Sequence, residues 1–506
     1  MRTAVVVTGS LALSVAAGCG GAPASTSKPK PKPATTAPAT PEVLSEQAAL
    51  FKKGCDGGDT DGCNQLAWLY EAGEGVKQDI HKAVELYLLA CSREDGVGCR
   101  KAGILFHRGE AGKDYPRAAN LFEQGCAAND GSACAYRGLM YEHGQGMAKN
   151  LGEALALYRM ACDMDSAIGC TYLGAFYANG VIVREDDVRA VQLYKRGCDG
   201  DEALGCSQLA TMYHWGSGVD QSVEHAAELY RQACDGEYDE ACNELGLILE
   251  DGDDGVAKNL GEAVRLYTAT CDRRSGQGCS YLGVLYSHGR GVPKDEQRAA
   301  RLFEVACNEG FAQGCTNLGI AYAYALGVRE DLAKAARLYR KACDDDHASG
   351  CTRLGVAYEE GAGVAVDPAR ATELYRKGCE GDHADGCAYF AHSLDRGFGT
   401  AQDRVRAIAV YDHACDNGSS FACNNLGVKY AHGRGVAQDY EHAVALYRKA
   451  CELHDRQACS NLGLMYLHGD GVTKDVAKAK QLFRAGCDAG HAESCTNLGY
   501  AANEDG

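Results

Sequence analysis

Cysteine is the residue whose spacing points most clearly to chemistry in this chain. Of its 27 cysteines, 26 fall into thirteen pairs with the same Cys-x7-Cys spacing. The pairs are Cys55 with Cys63, Cys91 with Cys99, Cys126 with Cys134, Cys162 with Cys170, Cys198 with Cys206, Cys234 with Cys242, Cys271 with Cys279, Cys307 with Cys315, Cys343 with Cys351, Cys379 with Cys387, Cys415 with Cys423, Cys451 with Cys459 and Cys487 with Cys495. Successive pairs begin 36 residues apart, with one step of 35 and one of 37. This fixed period predicts a repeat array, not the three ordinary domains that 506 residues would suggest.

Paired cysteines can form disulfides or bind zinc. A structural zinc site usually needs cysteines two to four residues apart with further ligands nearby, and no Cys-x-x-Cys occurs in the chain. Paired cysteines in an exported protein favour disulfides. Because the N-terminus indicates export, the sequence predicts one disulfide within each pair and no metal site.

The N-terminus has the pattern of a secretory signal. Residues 1–18 carry one charge, Arg2, and an apolar stretch runs from Ala4 to Val15. The stretch ends in small residues followed by Cys19, and this ending resembles a bacterial lipobox except that Ala16 stands where leucine is preferred. The resemblance implies that Cys19 is lipidated and becomes the first residue of the mature protein. The alternative is a conventional signal peptide that is cleaved nearby.

A linker follows the signal. Six of the nine prolines lie between Gly20 and Pro41, among lysine, alanine, threonine and serine. Such a segment cannot bury a core, and in polyproline geometry it extends by about 3.1 Å per residue, to at most ~70 Å. We therefore expect a signal at 1–18, a lipidated cysteine and tether at 19–41, and a repeat domain at 42–506.

The charge of the chain limits its partners. The net charge is −18, and residues 1–41 contain four basic residues and no acidic one, so the remainder carries −22. An acidic body repels phosphate backbones, which makes nucleic acid an unfavourable partner and favours basic or neutral ones.

Each repeat has the pattern of a helical hairpin. In residues 423–451, Cys423, Leu426 and Tyr430 share one helical face, and a glycine-rich turn follows them. Asp439 is placed to cap a second helix, whose alanine, Leu-Tyr and final cysteine form another apolar stripe. We call the first helix A, which the second cysteine of a pair is expected to open, and the second helix B. The pattern predicts twelve complete hairpins, preceded by a lone B-like helix and followed by a lone A-like helix as caps.

The repeat resembles a known family. Asn-Leu-Gly-x-x-Tyr followed by Gly-x-Gly-Val, alanine and Leu-Tyr-x-x-Ala-Cys is similar to the Sel1-like repeat, and the paired cysteines resemble its cysteine-rich subgroup from Helicobacter. The resemblance covers about residues 43–500. It implies an all-α solenoid, a right-handed superhelix related to tetratricopeptide arrays. One repeat departs from the pattern, because Phe390 and Ala391 replace Leu-Gly.

Two positions are candidates for binding a protein or an extended peptide. The second residue after the second cysteine of a pair is an amide or tyrosine in most repeats, and amides can bond a peptide backbone as donor and acceptor. The ninth residue is histidine in four repeats. The candidate binding residues are Asn317, Asn425, Asn461, Asn497, His432 and His468. The alternative is that these side chains only satisfy helix ends and turns.

Two other functions remain open. Some members of the resembling family are described as binding or slowly hydrolysing β-lactams, which implies a serine enzyme as the alternative. Serine β-lactamases need S-x-x-K together with S-D-N and K-T-G; here an S-x-x-K occurs at Ser25–Lys28 in the tether, without the other two elements. A purely structural spacer in the cell envelope is the third possibility. We predict no catalytic residue and no cofactor.

Overall fold

The computed structural model describes residues 41–253 and 255–502, so the predicted signal, Cys19 and all but the end of the tether lie outside the described residues. Over the described part, the chain is helical and contains no strand beyond one isolated bridge between Asp253 and Val256. The helices are α1 (Pro41–Asp56), α2 (Thr60–Ala72), α3 (Ile80–Cys91), α4 (Gly96–Arg108), α5 (Tyr115–Ala127), α6 (Gly131–His143), α7 (Leu151–Asp163), α8 (Ala167–Ala178), α9 (Asp187–Asp199), α10 (Ala203–Trp215), α11 (Val223–Asp235), α12 (Asp239–Asp251), α13 (Leu260–Asp272), α14 (Gly276–His288), α15 (Glu296–Asn308), α16 (Ala312–Ala323), α17 (Leu332–Asp344), α18 (Ala348–Glu360), α19 (Pro368–Glu380), α20 (Ala384–Arg396), α21 (Arg404–Asp416), α22 (Ser420–His432), α23 (Tyr440–Glu452), α24 (Arg456–His468), α25 (Val476–Asp488) and α26 (Ala492–Ala502).

The helices form the predicted hairpin repeats. The even-numbered helices are A helices and the odd-numbered ones are B helices, so α2 to α25 make twelve hairpins, with α1 and α26 as single helices at either end. The all-α solenoid expected from the sequence is therefore confirmed. The chain divides into two compact units, one ending at Leu266 and the other beginning at Tyr267.

The start of each A helix differs from the expectation. The sequence analysis places the second cysteine of a pair at the opening of helix A, but α22 begins at Ser420, three residues before Cys423. The reason is the cap: the Ser419 hydroxyl accepts the backbone N–H of Ala422, so the first helical turn forms before the cysteine is reached.

The same correction applies to every other A helix. In each of them the second cysteine of the pair is the fourth helical residue and not the first. These cysteines are Cys63 in α2, Cys99 in α4, Cys134 in α6, Cys170 in α8, Cys206 in α10, Cys242 in α12, Cys279 in α14, Cys315 in α16, Cys351 in α18, Cys387 in α20, Cys459 in α24 and Cys495 in α26. A full turn of helix therefore precedes each of them.

The turn between A and B explains two glycines of the repeat. Gly144 ends α6 in the left-handed conformation, with a φ of 67°, which glycine adopts without strain. The next glycine, Gly146, lies against the preceding hairpin: a Cβ at Gly146 would be 2.6 Å from the carbonyl carbon of Tyr115, at the start of α5. This turn therefore packs on the B helix of the hairpin before it.

The glycine of the Leu-Gly pair makes room for the aromatic ring of helix B. A Cβ at Gly427 would lie 2.7 Å from the Tyr447 ring, and one at Gly138 would lie 2.7 Å from the Tyr158 ring. Both tyrosines are almost fully buried. The hydroxyl of Tyr158 donates to the carboxylate of Glu142 at 2.7 Å, which satisfies its polar end.

The cysteine pairs are bridged as predicted. Thirteen disulfides join each B helix to the following A helix, with Cα–Cα distances between 4.2 and 4.7 Å. In each of them the first cysteine of a pair bonds the second cysteine of the same pair, from Cys55 with Cys63 to Cys487 with Cys495. Most of the bridged cysteines are buried, so each bridge lies in the contact between consecutive hairpins. None of the described helices combines the length and the apolar composition that a membrane span requires.

Candidate functional site

The A helices form a shared face within each unit. Successive A helices contact one another, as α6 contacts α8 and α16 contacts α18, whereas a B helix contacts mainly the A helices before and after it in sequence. The A helices therefore form one layer of each unit. Equivalent positions on them recur once per hairpin, which is the arrangement expected of a surface that binds an extended ligand.

The candidate asparagines lie between neighbouring A helices. Their side-chain N–H groups donate to side chains of the preceding A helix: Asn461 to Asn424 at 2.9 Å, and Asn497 to Ser460 at 3.1 Å. The corresponding distance from Asn317 to Ser280 is 3.5 Å. Asn425 instead donates to the carbonyl of Phe421 within its own helix, at 2.8 Å. All four are half-buried, and the donor groups of Asn317, Asn461 and Asn497 contribute to packing between repeats.

Tyrosines at the same repeat position face the preceding B helix. The ring of Tyr172 stacks on Tyr158 at 5.4 Å, and Tyr389 stacks on Tyr375 at 5.0 Å. Burial raises the pKa of the equivalent Tyr136 to about 12. The preference for amide or tyrosine at this position therefore reflects, at least in these repeats, a contact between hairpins.

The candidate histidines end their A helices. Nδ1 of His432 lies 2.9 Å from the carbonyl oxygen of Val428, one turn earlier. His288, in an equivalent place, makes the same contact with Val284 at 3.0 Å. A histidine here satisfies one of the last carbonyls of the helix, while the exposed ring still reaches solvent. His432 and His468 both lie on exposed helix ends.

Helix caps connect several A helices, a feature that the repeat pattern did not predict. In several A helices the side chain four residues before the second cysteine caps its own helix and also bonds the preceding A helix. Asp95 accepts the backbone N–H of Gly98 at 2.6 Å and the amide of Asn64 at 2.9 Å. The recurrence of aspartate, serine or histidine at this position was the signal that could have revealed it.

Two of the histidines at cap positions in the second unit, His347 and His383, contact the preceding A helix. Nδ1 of His347 lies 3.3 Å from the N–H of Gly350 and 3.0 Å from the Thr316 hydroxyl. His383 contacts Thr352 at 3.1 Å in the same way. Burial lowers the pKa of both histidines, so the neutral ring, which can accept these hydrogen bonds, is favoured.

Glu202 breaks the cap pattern in the first unit. It precedes α10, but its side chain makes no capping hydrogen bond, and only 8 % of the residue is exposed. Burial raises the pKa of the Glu202 carboxyl to about 7. Burial also raises the pKa of the neighbouring Tyr172, and the charge of Glu202 raises it further. In the preceding A helix, the buried Thr171 hydroxyl has no hydrogen-bond partner among the described residues.

The sequence also raised an S-x-x-K element and a metal site. Ser25 and Lys28, the S-x-x-K element, lie outside the described residues. Within the residues described, no group of three or more histidine, cysteine, aspartate or glutamate side chains is placed to hold a metal ion. The groups that the fold does bring together are hydrogen-bonding and apolar side chains of successive A helices.

Comparison with known sequence families agrees with this geometry. Eleven segments match the Sel1 repeat: residues 60–95, 97–130, 131–166, 167–202, 203–238, 239–274, 276–311, 312–347, 348–383, 420–455 and 456–491. The protein belongs to the Sel1 repeat family. The unmatched stretch 384–419 contains the irregular Phe390-Ala391 repeat, yet it folds into the same hairpin, α20 and α21.

The chain is similar to solved structures, one of which shows the same fold. A protective antigen present in uropathogenic Escherichia coli strains, which displays an SLR fold, is 24% identical with a TM-score of 0.53, over 83% of this chain and 90% of its own. A Sel1 repeat protein from Oxalobacter formigenes is 24% identical over 48% of this chain and 96% of its own, with a TM-score of 0.43. No curated protein matches the chain.

Proposed function

We propose that this protein is an exported, lipid-anchored repeat scaffold of a bacterial cell envelope that binds a protein or an extended peptide on its A helices. The observation that carries the proposal is the recurrence of equivalent A-helix positions once per hairpin. A ligand that follows this face can contact one side chain from each repeat. Such contacts are individually weak, about 1 kcal/mol for a neutral hydrogen bond, so binding requires several at once.

Export is supported by the disulfides. Disulfides persist in oxidising compartments, and thirteen of them lie between the repeats. The signal-like N-terminus ends at Cys19, the site that we propose for lipidation. Gly20 is not the aspartate that favours retention in the inner membrane of enteric bacteria, so the outer membrane is the proposed location in a cell with two membranes.

Charge defines the class of partner. The repeat domain carries all 69 acidic residues of a chain with net charge −18. Such a surface attracts basic segments, accepts neutral ones and repels nucleic acid. We therefore propose a basic or neutral polypeptide as the partner, and the proposal assigns no catalytic step and no cofactor.

Two histidines offer a test that leaves the packing between repeats intact. A partner is first isolated from an envelope extract with the disulfide-bonded protein, and its affinity is then measured for a double variant that combines His432→Ala with His468→Ala. We expect affinity to fall by about tenfold or more, because two ligand hydrogen bonds are lost, while the melting temperature stays unchanged.

His413→Ala is the matched control. His413 is an exposed histidine of the same unit, but it lies on the B helix α21. Affinity should not change in this control. An unchanged affinity in the double variant, or an equal loss in the control, would contradict binding on the A helices.

A further inference from the structure

A cavity of about 380 Å³ lies between consecutive hairpins of the second unit. It is lined by residues of α14, α15 and α16 and of the turns that follow α14 and α16. The lining is mainly apolar. Its apolar side chains are Val284 of α14, Ala300 and Phe303 of α15, Ile320 of α16 and Leu326 of the turn after α16. The cavity therefore opens beside two successive A helices, on the elements that form the proposed binding face.

The first cause of the cavity is a missing hydroxyl. In several repeats the helix B aromatic is a tyrosine whose hydroxyl donates to a glutamate of helix A, as Tyr375 does to Glu359 at 2.5 Å. Phe303 has no hydroxyl, and the residue in place of the glutamate is the short Ser287. The Ser287 hydroxyl donates instead to the carbonyl oxygen of Val284, one turn earlier in α14, at 2.8 Å.

The second cause is the size of Ala300. The equivalent residue is Leu155 in one repeat and Val444 in another, and both of these side chains are buried. Alanine at this place, together with Phe303 and Ser287, leaves volume that the larger side chains would fill. The space thus results from the combination of these three residues within one hairpin, α14 and α15.

The polar groups at the cavity are suited to a peptide backbone. Asn317 lies on its wall with only a long contact, 3.5 Å, to Ser280. His288 uses Nδ1 for a carbonyl of its own helix, so within the described chain Nε2 is the ring nitrogen left for a ligand. The charged groups at the cavity, Lys294 and Glu296, pair with each other at 2.7 Å, which leaves the site neutral.

We infer that this cavity receives one neutral apolar side chain of an extended segment from a partner protein, while Asn317 and His288 bond that segment's backbone. The inference rests on the proposed function and specifies the partner's anchor. Burying an apolar side chain here is favourable, whereas a charged one would lose its hydration without an unpaired counter-charge. The volume lies at the lower end of the range for small-molecule sites, which suits a single large side chain.

The test uses random linear dodecapeptides displayed on phage and selected on the full, disulfide-bonded chain. Selected peptides should share an apolar residue such as leucine, phenylalanine or tryptophan. Their affinity should fall at least about tenfold for Ala300→Leu, because the new side chain fills the cavity. Leucine already occupies this repeat position at Leu155, so the fold is expected to accept it.

Two further variants complete the test. Ala300→Val fills part of the space, should lower affinity less, and serves if the leucine variant does not fold. Val444→Leu is the control at the same repeat position in another hairpin, and it should leave affinity unchanged.

The possible outcomes separate the two proposals. Peptides that bind wild type and both Ala300 variants equally would overturn the cavity assignment but leave binding on the A helices in place. Selected peptides that share no apolar residue would likewise overturn the cavity assignment and leave binding on the A helices in place. If no peptide is enriched, both the cavity and the proposed function are contradicted.

Discussion

Glu202 is a residue whose ionisation should control local stability. Burial raises the pKa of its carboxyl from the ordinary 4.5 to about 7, so between these values the folded chain binds more protons than the unfolded chain. The free energy of unfolding therefore falls as the pH rises through this window. Glu202→Gln removes the buried charge, and we expect the variant to be more stable than wild type at pH 8, by about 3 kcal/mol at most.

Thermal melting at pH 5 and pH 8 measures this effect. The advantage of Glu202→Gln should shrink toward pH 5, where wild type is already largely protonated when folded. Glu240→Gln, at an exposed position nearby in sequence, is the control and should show little difference at either pH. A glutamine variant that is less stable than wild type at pH 8 would refute the assignment.

The helix caps of α18 and α20 make a second pH-dependent contribution, at the scale of elements. Burial lowers the pKa of His347 and His383 below the ordinary value of 6.5. The folded chain therefore binds fewer protons than the unfolded chain just below pH 6.5, and the free energy of unfolding falls as the pH drops through that value. The physical reason is that a protonated Nδ1 cannot accept the capping N–H.

Serine substitutions remove the titratable ring from these two caps while keeping a side chain that can cap the helix. Serine caps the equivalent helices at Ser166 and Ser419 and does not titrate, so a double variant with His347→Ser and His383→Ser should keep the fold. The variant should lose less stability than wild type between pH 7 and pH 5 in thermal melts of the second unit. His413→Ser, on an exposed B-helix position, should follow the wild-type curve. Identical curves for wild type and the double variant would show that the caps do not titrate in this range.

The elements could be predicted from the sequence because each repeat carries its own start, turn and apolar stripe. Asp439 does cap α23, accepting the N–H of His442 at 2.9 Å, and the repeat with Phe390 still forms its hairpin. The direction of side chains such as Asn461 could not be predicted in this way. Spacing along one helix does not reveal which neighbouring helix it faces, and Asn461 turns out to bond the preceding A helix.

The same limit applies to cavities. No single residue of α14 or α15 predicts a cavity, because it arises when Ser287 of α14 meets Ala300 and Phe303 of α15. The raised pKa of Glu202 could not be predicted from the sequence for a related reason. Glu202 interacts electrostatically with tyrosines of other hairpins, such as Tyr172, which the sequence places 30 residues away.

At the scale of the whole molecule, the proposed anchor at Cys19 makes a direct prediction. Cys19→Ser should prevent lipidation, and the protein should move from the membrane fraction to the soluble fraction of the cell envelope. Metabolic labelling with a fatty acid should mark the wild type and not the variant. If the variant stays in the membrane fraction to the same extent as wild type, the lipoprotein assignment is wrong.

The disulfides make the last prediction, which concerns how stability is distributed along the chain. A repeat array is stabilised by contacts between neighbours, so removing one bridge should affect the hairpins that it joins and little else. A double variant with Cys415→Ala and Cys423→Ala removes the bridge between α21 and α22. For so short a loop, chain entropy puts the cost at about 2.5 kcal/mol. Hydrogen exchange should accelerate in α21 and α22, while α2 to α12 should keep wild-type rates. Uniform acceleration through both units would show that stability is not local, and that the bridges act on the chain as a whole.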